Sequence, residues 1–200
     1  MEKEPFLLYK VKSSKKEVVF LTPEELDKLE KHQFAQQRLQ QVKDMFIFCC
    51  YTGLAFNEMS KLEHKHIVIG FDGHKWIKIN REKTKKLVSV PILFKATIAI
   101  ERYCSENAPF ILPRISNQKF NSYLKEIAEV LGIEKKLTHH IARKTFATTV
   151  LLYNDVPMEI VSELLGHSKV TVTQEYYAKV VQKKVSEHME LLSRKLNMLG

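Results

Sequence analysis

Much about this chain follows from one stretch in its second half, Thr138-His139-His140-Ile141-Ala142-Arg143. Because His140 and Arg143 stand three residues apart, a helix would place both on one face, within reach of a single bound group. Two further motifs follow in the sequence, Leu164-Leu165-Gly166-His167 and Tyr176-Tyr177. Arginine offers a fork of donors to a phosphate, imidazoles offer hydrogen bonds and proton transfer, and a tyrosine hydroxyl offers a nucleophile. This order of residue types suits phosphodiester transfer without a metal.

Length and charge limit the class of protein. The chain has 200 residues, of which 44% are hydrophobic, so it can bury one core of ordinary size. Lys and Arg number 32 against 23 Asp and Glu, a net charge of +9 that suits a polyanionic partner such as a nucleic acid but is also compatible with a merely basic soluble protein. The longest apolar runs fall well short of the roughly 20 residues of a membrane span, and no signal peptide follows Met1. We therefore expect a cytoplasmic protein with no membrane association.

The cysteine and histidine patterns predict neither a metal site nor a cofactor. Cys49, Cys50 and Cys104 lack the spacing of metal ligands, and an odd count with two neighbours argues against a disulfide framework. We expect them to be small buried residues of a reducing compartment. Three histidines near a predicted hairpin lack the cysteine or carboxylate partners of a zinc site: His64, His66 and His74.

The pattern of apolar residues predicts a mainly α fold with a small three-stranded antiparallel β-sheet. The first helix begins at Thr22-Pro23-Glu24-Glu25, where Thr22 can cap the helix and Glu25 completes a capping box. A longer core helix runs from about residue 35 to Tyr51 and ends at Gly53. Further helices are predicted over 94–104, 117–131, 138–153 and 158–165, and from residue 170 onward.

The sheet is predicted from a hairpin and one further strand. Residues 68–71 and 76–79 form the first two strands, joined by a turn at Asp72-Gly73. The third strand begins at Leu87 and is stopped by Pro91.

From Leu21 to about Val180 the chain resembles the catalytic domain of tyrosine recombinases of the phage integrase family. The likeness rests on the motifs above and on three more: Phe20-Leu21-Thr22, Thr52-Gly53-Leu54 and Lys83-Thr84. It implies the fold of DNA breaking-rejoining enzymes and site-specific DNA recombination through a 3′-phosphotyrosine intermediate, without metal or cofactor. It also implies a linker or arm over 1–20, a catalytic domain over 21–180 and a helical tail over 181–200, with the N-terminal core-binding domain of the family absent.

The resemblance assigns roles to residues at matching positions. Arg143 would stabilise charge on the non-bridging phosphate oxygens, and His140 would assist by a hydrogen bond or proton transfer. His167 would hydrogen-bond a phosphate oxygen, and Lys83 would donate a proton to the departing 5′ oxygen. His139 is expected to point elsewhere and to be structural or to contact the DNA backbone.

The nucleophile is one of two adjacent tyrosines. Counting nine residues from His167 gives Tyr176, whereas a count of ten and the local pattern Tyr-Ala-Lys-Val give Tyr177, which we favour. On a helix the two side chains differ by about 100° in direction, so only one of them can face the phosphate.

One arginine of the family is missing. The usual Thr-Gly-Leu-Arg is Thr52-Gly53-Leu54-Ala55 here, and alanine cannot hold a phosphate. Integrases of Bacteroides-type mobile elements are similar in lacking it, so the chain resembles that branch; the alternative is a catalytically decayed module that only binds DNA. On a continuous strand Ile79, Arg81 and Lys83 would share a face. Arg81 would then take over part of the missing role, or else contact the DNA backbone at the surface.

Further residues are predicted to contact DNA or a second protomer. Basic residues that would position DNA phosphates are Lys85, Lys86, Arg114, Lys119 and Lys125. Apolar residues recur at helical spacing in the tail: Val181, Val185, Met189, Leu192 and Leu196. They either pack on their own domain or dock on a neighbouring protomer, which would mean self-association on DNA.

Two rival functions fit part of the sequence. A helical transcription regulator would explain the basic charge and the many helices, but not the order of His, Arg and Tyr. A type IB topoisomerase shares the proposed chemistry, yet it would relax supercoiled DNA without a partner site.

Overall fold

A computed structural model describes residues 18–82, 85–105 and 107–167, and in the C-terminal part residues 173–174, 180, 184–186, 189–190 and 192–196. Within these residues the α-helices are α1 (Pro23–Lys31), α2 (Gln37–Thr52), α3 (Phe56–Ser60), α4 (Phe94–Tyr103), α5 (Asn117–Leu131), α6 (His139–Thr145) and α7 (Met158–Leu165). The strands are β1 (Ile67–Ile69), β2 (Lys75–Asn80) and β3 (Leu87–Pro91), which form one antiparallel sheet in the order β1-β2-β3. The predicted fold class is confirmed.

The predicted start of α1 is confirmed. The Thr22 hydroxyl accepts from the Glu25 N–H over 3.2 Å, and the Glu25 carboxylate accepts from the Thr22 N–H over 2.7 Å. Just before this cap, the Leu21 N–H donates to Thr145 Oγ1 over 3.0 Å, and the Thr149 hydroxyl donates to the Leu21 carbonyl. The chain therefore enters the domain directly against α6 and the segment that follows it.

The core is built around α2, which is buried on almost every side and packs against α4, α5 and α6. Residues 42–50 of this helix are all buried, including the paired charges of Lys43 and Asp44, so the helix fills the centre of the domain. Cys49 and Cys50 are buried in it as predicted, and burial raises the pKa of both thiols; Cys104 is only partly buried. The helix ends at Gly53 in the left-handed conformation, with φ of 64°.

The hairpin differs from its prediction in the length of its loop. The last pair of β1 and β2 is Ile69 with Lys75, so residues 70–74 form the connection, and Phe71 lies in this loop and is exposed. The Asp72 carboxylate organises the loop by accepting from Trp76 Nε1 over 2.9 Å and from the backbone N–H of residue 74 over 3.0 Å. The third strand also runs through Pro91, which is tolerated there because it is the last residue of an edge strand.

The predicted helix over 138–153 is wrong as a single α-helix. After α6 the chain widens into a π-helix over Phe146–Leu151 and then tightens into a 3-10 helix over Leu152–Asn154. Apolar spacing does not distinguish these helices, because they differ by one residue in the hydrogen-bonding step. The wide turn lies where Thr145 and Thr149 both bond Leu21, a contact that sequence periodicity does not contain.

The predicted helix from residue 170 onward is described only in part, and its described residues are mostly helical. Val180 is buried in a small second core cluster with Val161 and Leu165. In the part of the chain that the structure describes, no helix combines the length and the apolar character that crossing a lipid bilayer would require.

Candidate active site

Two arginines meet at the end of α2. Arg143, on α6, donates from Nη1 to the Gly53 carbonyl over 2.6 Å and from Nη2 to the Leu165 carbonyl. Arg81, just after β2, donates from Nη1 to the same Gly53 carbonyl over 3.4 Å and from Nη2 to the Leu164 carbonyl over 2.7 Å. We call Arg81, Arg143 and the Gly53 carbonyl the two-arginine site.

The site depends on the end of α7. Its last carbonyls carry the negative end of the helix dipole, and the two guanidiniums satisfy two of them. Gly166 then turns the chain in the left-handed conformation, with φ of 64°. A Cβ at Gly166 would lie 2.7 Å from Val88 Cγ1 and 3.0 Å from Arg81 Cγ, so only glycine lets this turn lie so close to Arg81.

Arg81 is held beside the position where an arginine is missing. Its side chain is 3% exposed, and its burial continues the alternation of Ile77 and Ile79 along the inner face of β2. The Glu58 carboxylate forms a buried ion pair with Arg81 Nη1, and the same oxygen accepts from the Ala55 N–H over 2.9 Å. Burial lowers the pKa of Arg81, and the Glu58 charge opposes that effect. Arg81 Nε is buried and has no hydrogen-bond partner among the described residues.

His167 lies within the electrostatic field of both arginines. Its Nδ1 is 2.9 Å from the hydroxyl of Thr173, which is fully buried. Burial, followed by the charges of Arg143 and Arg81, lowers the pKa of His167 to about 4. The imidazole is therefore neutral at pH 7, with one nitrogen to donate and one to accept.

His139 and His140 begin α6, and their ring centroids are 3.9 Å apart. His140 is exposed, whereas His139 is half-buried and its backbone N–H donates to Asn121 Oδ1. Burial and then the charges of Lys144 and Arg143 lower the pKa of His140. Burial and then the His140 charge lower the pKa of His139 to about 4.

The structure therefore brings Arg81, Arg143 and His167 together, with His140 one helical turn before Arg143 on α6. Three predicted catalytic residues lie outside the described residues: Lys83, Tyr176 and Tyr177. Sequence reasoning missed three polar residues that hold the site: Glu58, Asn121 and Thr173. Only Glu58 had a signal, because it stands three residues after Ala55, the spacing of a capping box.

Four of the five basic residues predicted to contact DNA phosphates are exposed, and Lys86 is partly buried. Lys86 forms an ion pair with Glu163 of α7 over 2.6 Å, and Lys125 pairs with Glu129 over 3.7 Å. Arg114 is exposed and lies over the Phe110 ring, 4.9 Å from its centroid. Lys85, in a left-handed turn, and Lys119, in the first turn of α5, are both exposed.

Comparison with known sequences identifies relatives over most of the chain. A model of the phage integrase family matches residues 19–183. Tyrosine recombinase XerD of Listeria innocua is 34% identical over 142 residues, which are 62% of this chain and 46% of that protein. A tyrosine recombinase of Pseudothermotoga lettingae is 29% identical over 180 residues, 86% of this chain and 60% of that protein. The chain thus spans about half the length of the curated relatives it matches.

Comparison with solved structures shows the fold. The crystal structure of XerA recombinase superimposes with a TM-score of 0.68 at 21% identity, over 86% of this chain and 65% of that one. The Tn1549 transposon integrase in complex with transposon right end DNA gives 0.67 at 17% identity, over 96% and 73%. The catalytic domain of bacteriophage HP1 integrase gives 0.61 at 21% identity, over 80% and 87%.

Proposed function

Because the chain belongs to the phage integrase family, we propose that it is a site-specific tyrosine recombinase that cuts and rejoins double-stranded DNA. The observation that carries the proposal is the two-arginine site: Arg81 and Arg143 share the Gly53 carbonyl beside His167. Attack on a phosphodiester gathers negative charge on the non-bridging oxygens, and fixed guanidiniums are the donors that stabilise such charge.

The proposed reaction exchanges one phosphate ester for another. The Tyr177 hydroxyl attacks the phosphorus, the bond from its oxygen to phosphorus forms, and the bond to the 5′ oxygen breaks. The tyrosine proton passes to His140, and Lys83 protonates the departing 5′ oxygen. The 3′ phosphate stays on the tyrosine until a 5′ hydroxyl of the partner strand attacks it and the tyrosine recovers its proton. Because every broken ester is replaced by another, this sequence needs neither a metal nor a cofactor.

Arg81 has a specific part in this proposal: it supplies the guanidinium that Ala55 lacks. Supporting this, one oxygen of Glu58 binds both the Ala55 N–H and Arg81 Nη1, so the Arg81 guanidinium lies next to the backbone of residue 55. A relocated arginine is consistent with the branch of Bacteroides-type mobile elements, to which we assign the chain as part of the proposal.

The proposal also includes self-association on DNA through the tail. Four apolar tail residues at helical spacing are 46–60% exposed: Val185, Met189, Leu192 and Leu196. An exposed apolar stripe of this kind favours docking on a neighbouring protomer over packing on its own domain. Structural neighbours solved with DNA, such as the Tn1549 integrase complex, support double-stranded DNA as the other partner. Membership of the phage integrase family supports the cytoplasm as the place of action.

The test is covalent capture on DNA. The 200-residue chain is incubated in EDTA with a library of double-stranded oligonucleotides that carry random sequence and a single nick, so that a cut releases a short fragment and traps the adduct. We expect an adduct that resists denaturation and whose sequences share a motif. Tyr177→Phe should abolish it, and Tyr176→Phe, the matched control, should retain it.

Other outcomes of the same experiment would contradict parts of the proposal. DNA binding without any adduct would indicate the decayed module. Adduct formation by Tyr177→Phe but not by Tyr176→Phe would assign the nucleophile to Tyr176. In a separate assay on supercoiled plasmid, relaxation without a shared motif or strand exchange would favour the topoisomerase.

A further inference from the structure

A column of four aromatic rings runs from the core to the surface and ends at His140. The ring centroids of Phe120 and Phe56 are 5.2 Å apart, those of Phe56 and His139 are 5.8 Å apart, and those of His139 and His140 are 3.9 Å apart. The two phenylalanines are buried, whereas His140 is exposed. The ring column therefore connects a proposed proton-transfer group to the rigid core.

His139 is fixed in this column by the neighbouring helix. Thr138 makes no side-chain bond at the start of α6, and the first N–H of the helix donates instead to Asn121 Oδ1 over 3.1 Å. The His139 Nδ1 lies 3.4 Å from both polar atoms of the Asn121 amide. Asn121 is itself held, because its Nδ2 donates to Asn117 Oδ1 over 2.6 Å. His139 is thus restrained by Asn121 and by its contact with the Phe56 ring.

The charge state of His139 suits a residue that contacts His140 without taking part in proton transfer. Its pKa of about 4, set by burial and then by the His140 charge, leaves it uncharged at neutral pH. A neutral ring does not repel His140 when that residue takes up a proton. The charges that do act on His140 are those of Lys144 and Arg143, both on α6.

We propose that His139 is a positioning residue for His140: its ring, held by Asn121 and Phe56, keeps the His140 imidazole oriented towards the scissile phosphate. The inference rests on the proposed function of His140 in proton transfer. An exposed side chain samples several rotamers, and contact with a tilted ring whose centroid is 3.9 Å away removes part of that freedom before DNA binds. Orientation that is present beforehand lowers the barrier of the chemical step rather than the affinity for DNA.

The first arm of the test measures cleavage in a single turnover on the nicked DNA selected by covalent capture. His139→Ala should slow adduct formation at least about tenfold, since a well-placed proton-transfer group contributes roughly 10² to 10⁴ in rate. His139→Phe keeps a flat ring and should recover most of the rate, with the Kd for DNA unchanged in both variants. In a His140→Ala background, His139→Ala should have no further effect, because its role acts through His140.

The matched control is His32→Ala, which removes another histidine that contacts an aromatic ring, Phe34, at 4.3 Å between centroids. It should leave the rate unchanged. Equal slowing by His139→Ala in the presence and absence of His140, or no slowing at all, would overturn the proposal.

The second arm needs no activity. Side-chain ¹³C relaxation of His140 in the free protein should report a restricted ring in the wild type and in His139→Phe, and a more mobile ring in His139→Ala. Equal mobility in all three proteins would overturn the proposal. If the wild-type chain forms no adduct, the proposed function fails, whereas a restricted His140 ring would still support the positioning contact.

Discussion

Arg81 and Arg143 donate hydrogen bonds to one acceptor, the carbonyl oxygen of Gly53, over 3.4 Å and 2.6 Å. Two cations next to one another repel, and the arrangement is stabilised because each also binds a carbonyl at the end of α7 and Arg81 pairs with Glu58. Because they share this acceptor, the position of both guanidiniums depends on the end of α2. Changes at this point are expected to affect cleavage, stability and pH dependence separately.

Replacing Arg81 should reduce cleavage more than it reduces stability, provided that its charge is kept. Arg81→Lys retains a cation opposite the buried Glu58 but loses the planar fork, so we expect about a 100-fold slower cleavage, the effect of losing one donor to a developing negative charge. For Arg81→Ala we also expect the free energy of unfolding to fall by about 3–5 kcal/mol, because Glu58 is left unpaired in the interior.

The control for Arg81 is Lys85→Ala, which removes an exposed base from the adjoining turn. Rates of covalent adduct formation, with urea unfolding of each variant, provide the comparison. Equal losses of cleavage in Arg81→Lys and Lys85→Ala would mean that Arg81 has no special role at the phosphate.

Gly53→Ala should be strongly destabilising and should disturb both arginines. Its backbone is left-handed, and an added Cβ would lie 2.4 Å from Phe146 Cδ1, so either the ring or the end of α2 must move. We expect the free energy of unfolding to fall by about 2–4 kcal/mol, the sum of left-handed strain and overpacking. Gly73→Ala is the matched control, since its φ is 76° but no atom lies within 4 Å of the added carbon.

Urea unfolding of the two glycine variants separates strain from packing. For Gly73→Ala the free energy of unfolding should fall by only about 1 kcal/mol, the usual cost of a left-handed alanine. A comparable loss in both variants would show that the contact with Phe146 does not matter.

Acid should destabilise the protein partly through His167. Its folded pKa of about 4 lies below the ordinary value of 6.5, so the unfolded chain binds more protons between these limits and stability falls as the pH drops through this window. His167→Asn removes that contribution, which we put at about 1 kcal/mol between pH 7.5 and pH 5 after discounting for a half-buried group.

The measurement is the free energy of unfolding in urea at both pH values. The wild type should lose more stability on acidification than His167→Asn does. In both proteins the stability should still fall somewhat with pH, because the pKa of His139 is also lowered. An identical acid loss in the two proteins would contradict the assigned pKa of His167.

Polar substitutions in the tail should weaken self-association on DNA. Leu192→Asp combined with Leu196→Asp places charges on the exposed apolar stripe, where they oppose burial against a neighbouring protomer. Sedimentation of the DNA-bound protein should shift towards one protomer per site. Arg194→Ala, an exposed charged residue of the same segment, should leave sedimentation unchanged, and an equal shift in both variants would argue against docking through the stripe.

The sequence by itself determined the elements whose signals are local. The Thr22 and Glu25 cap, the left-handed stop at Gly53 and the bounds of α5 and α7 depend on neighbouring residues, so their prediction succeeded. For Arg81 the sequence left two alternatives open, and its burial agrees with the one that continues the alternation of Ile77 and Ile79.

Only the tertiary structure decided what these elements do together. The π-helix after α6 accompanies contacts with Leu21, which is more than 120 residues away in the chain. The shared Gly53 carbonyl, the bond from Glu58 to Arg81 and the support of His139 by Asn121 likewise join groups from separate elements. Local spacing predicts which face a side chain occupies, whereas the partner it meets there depends on the packing of the whole chain.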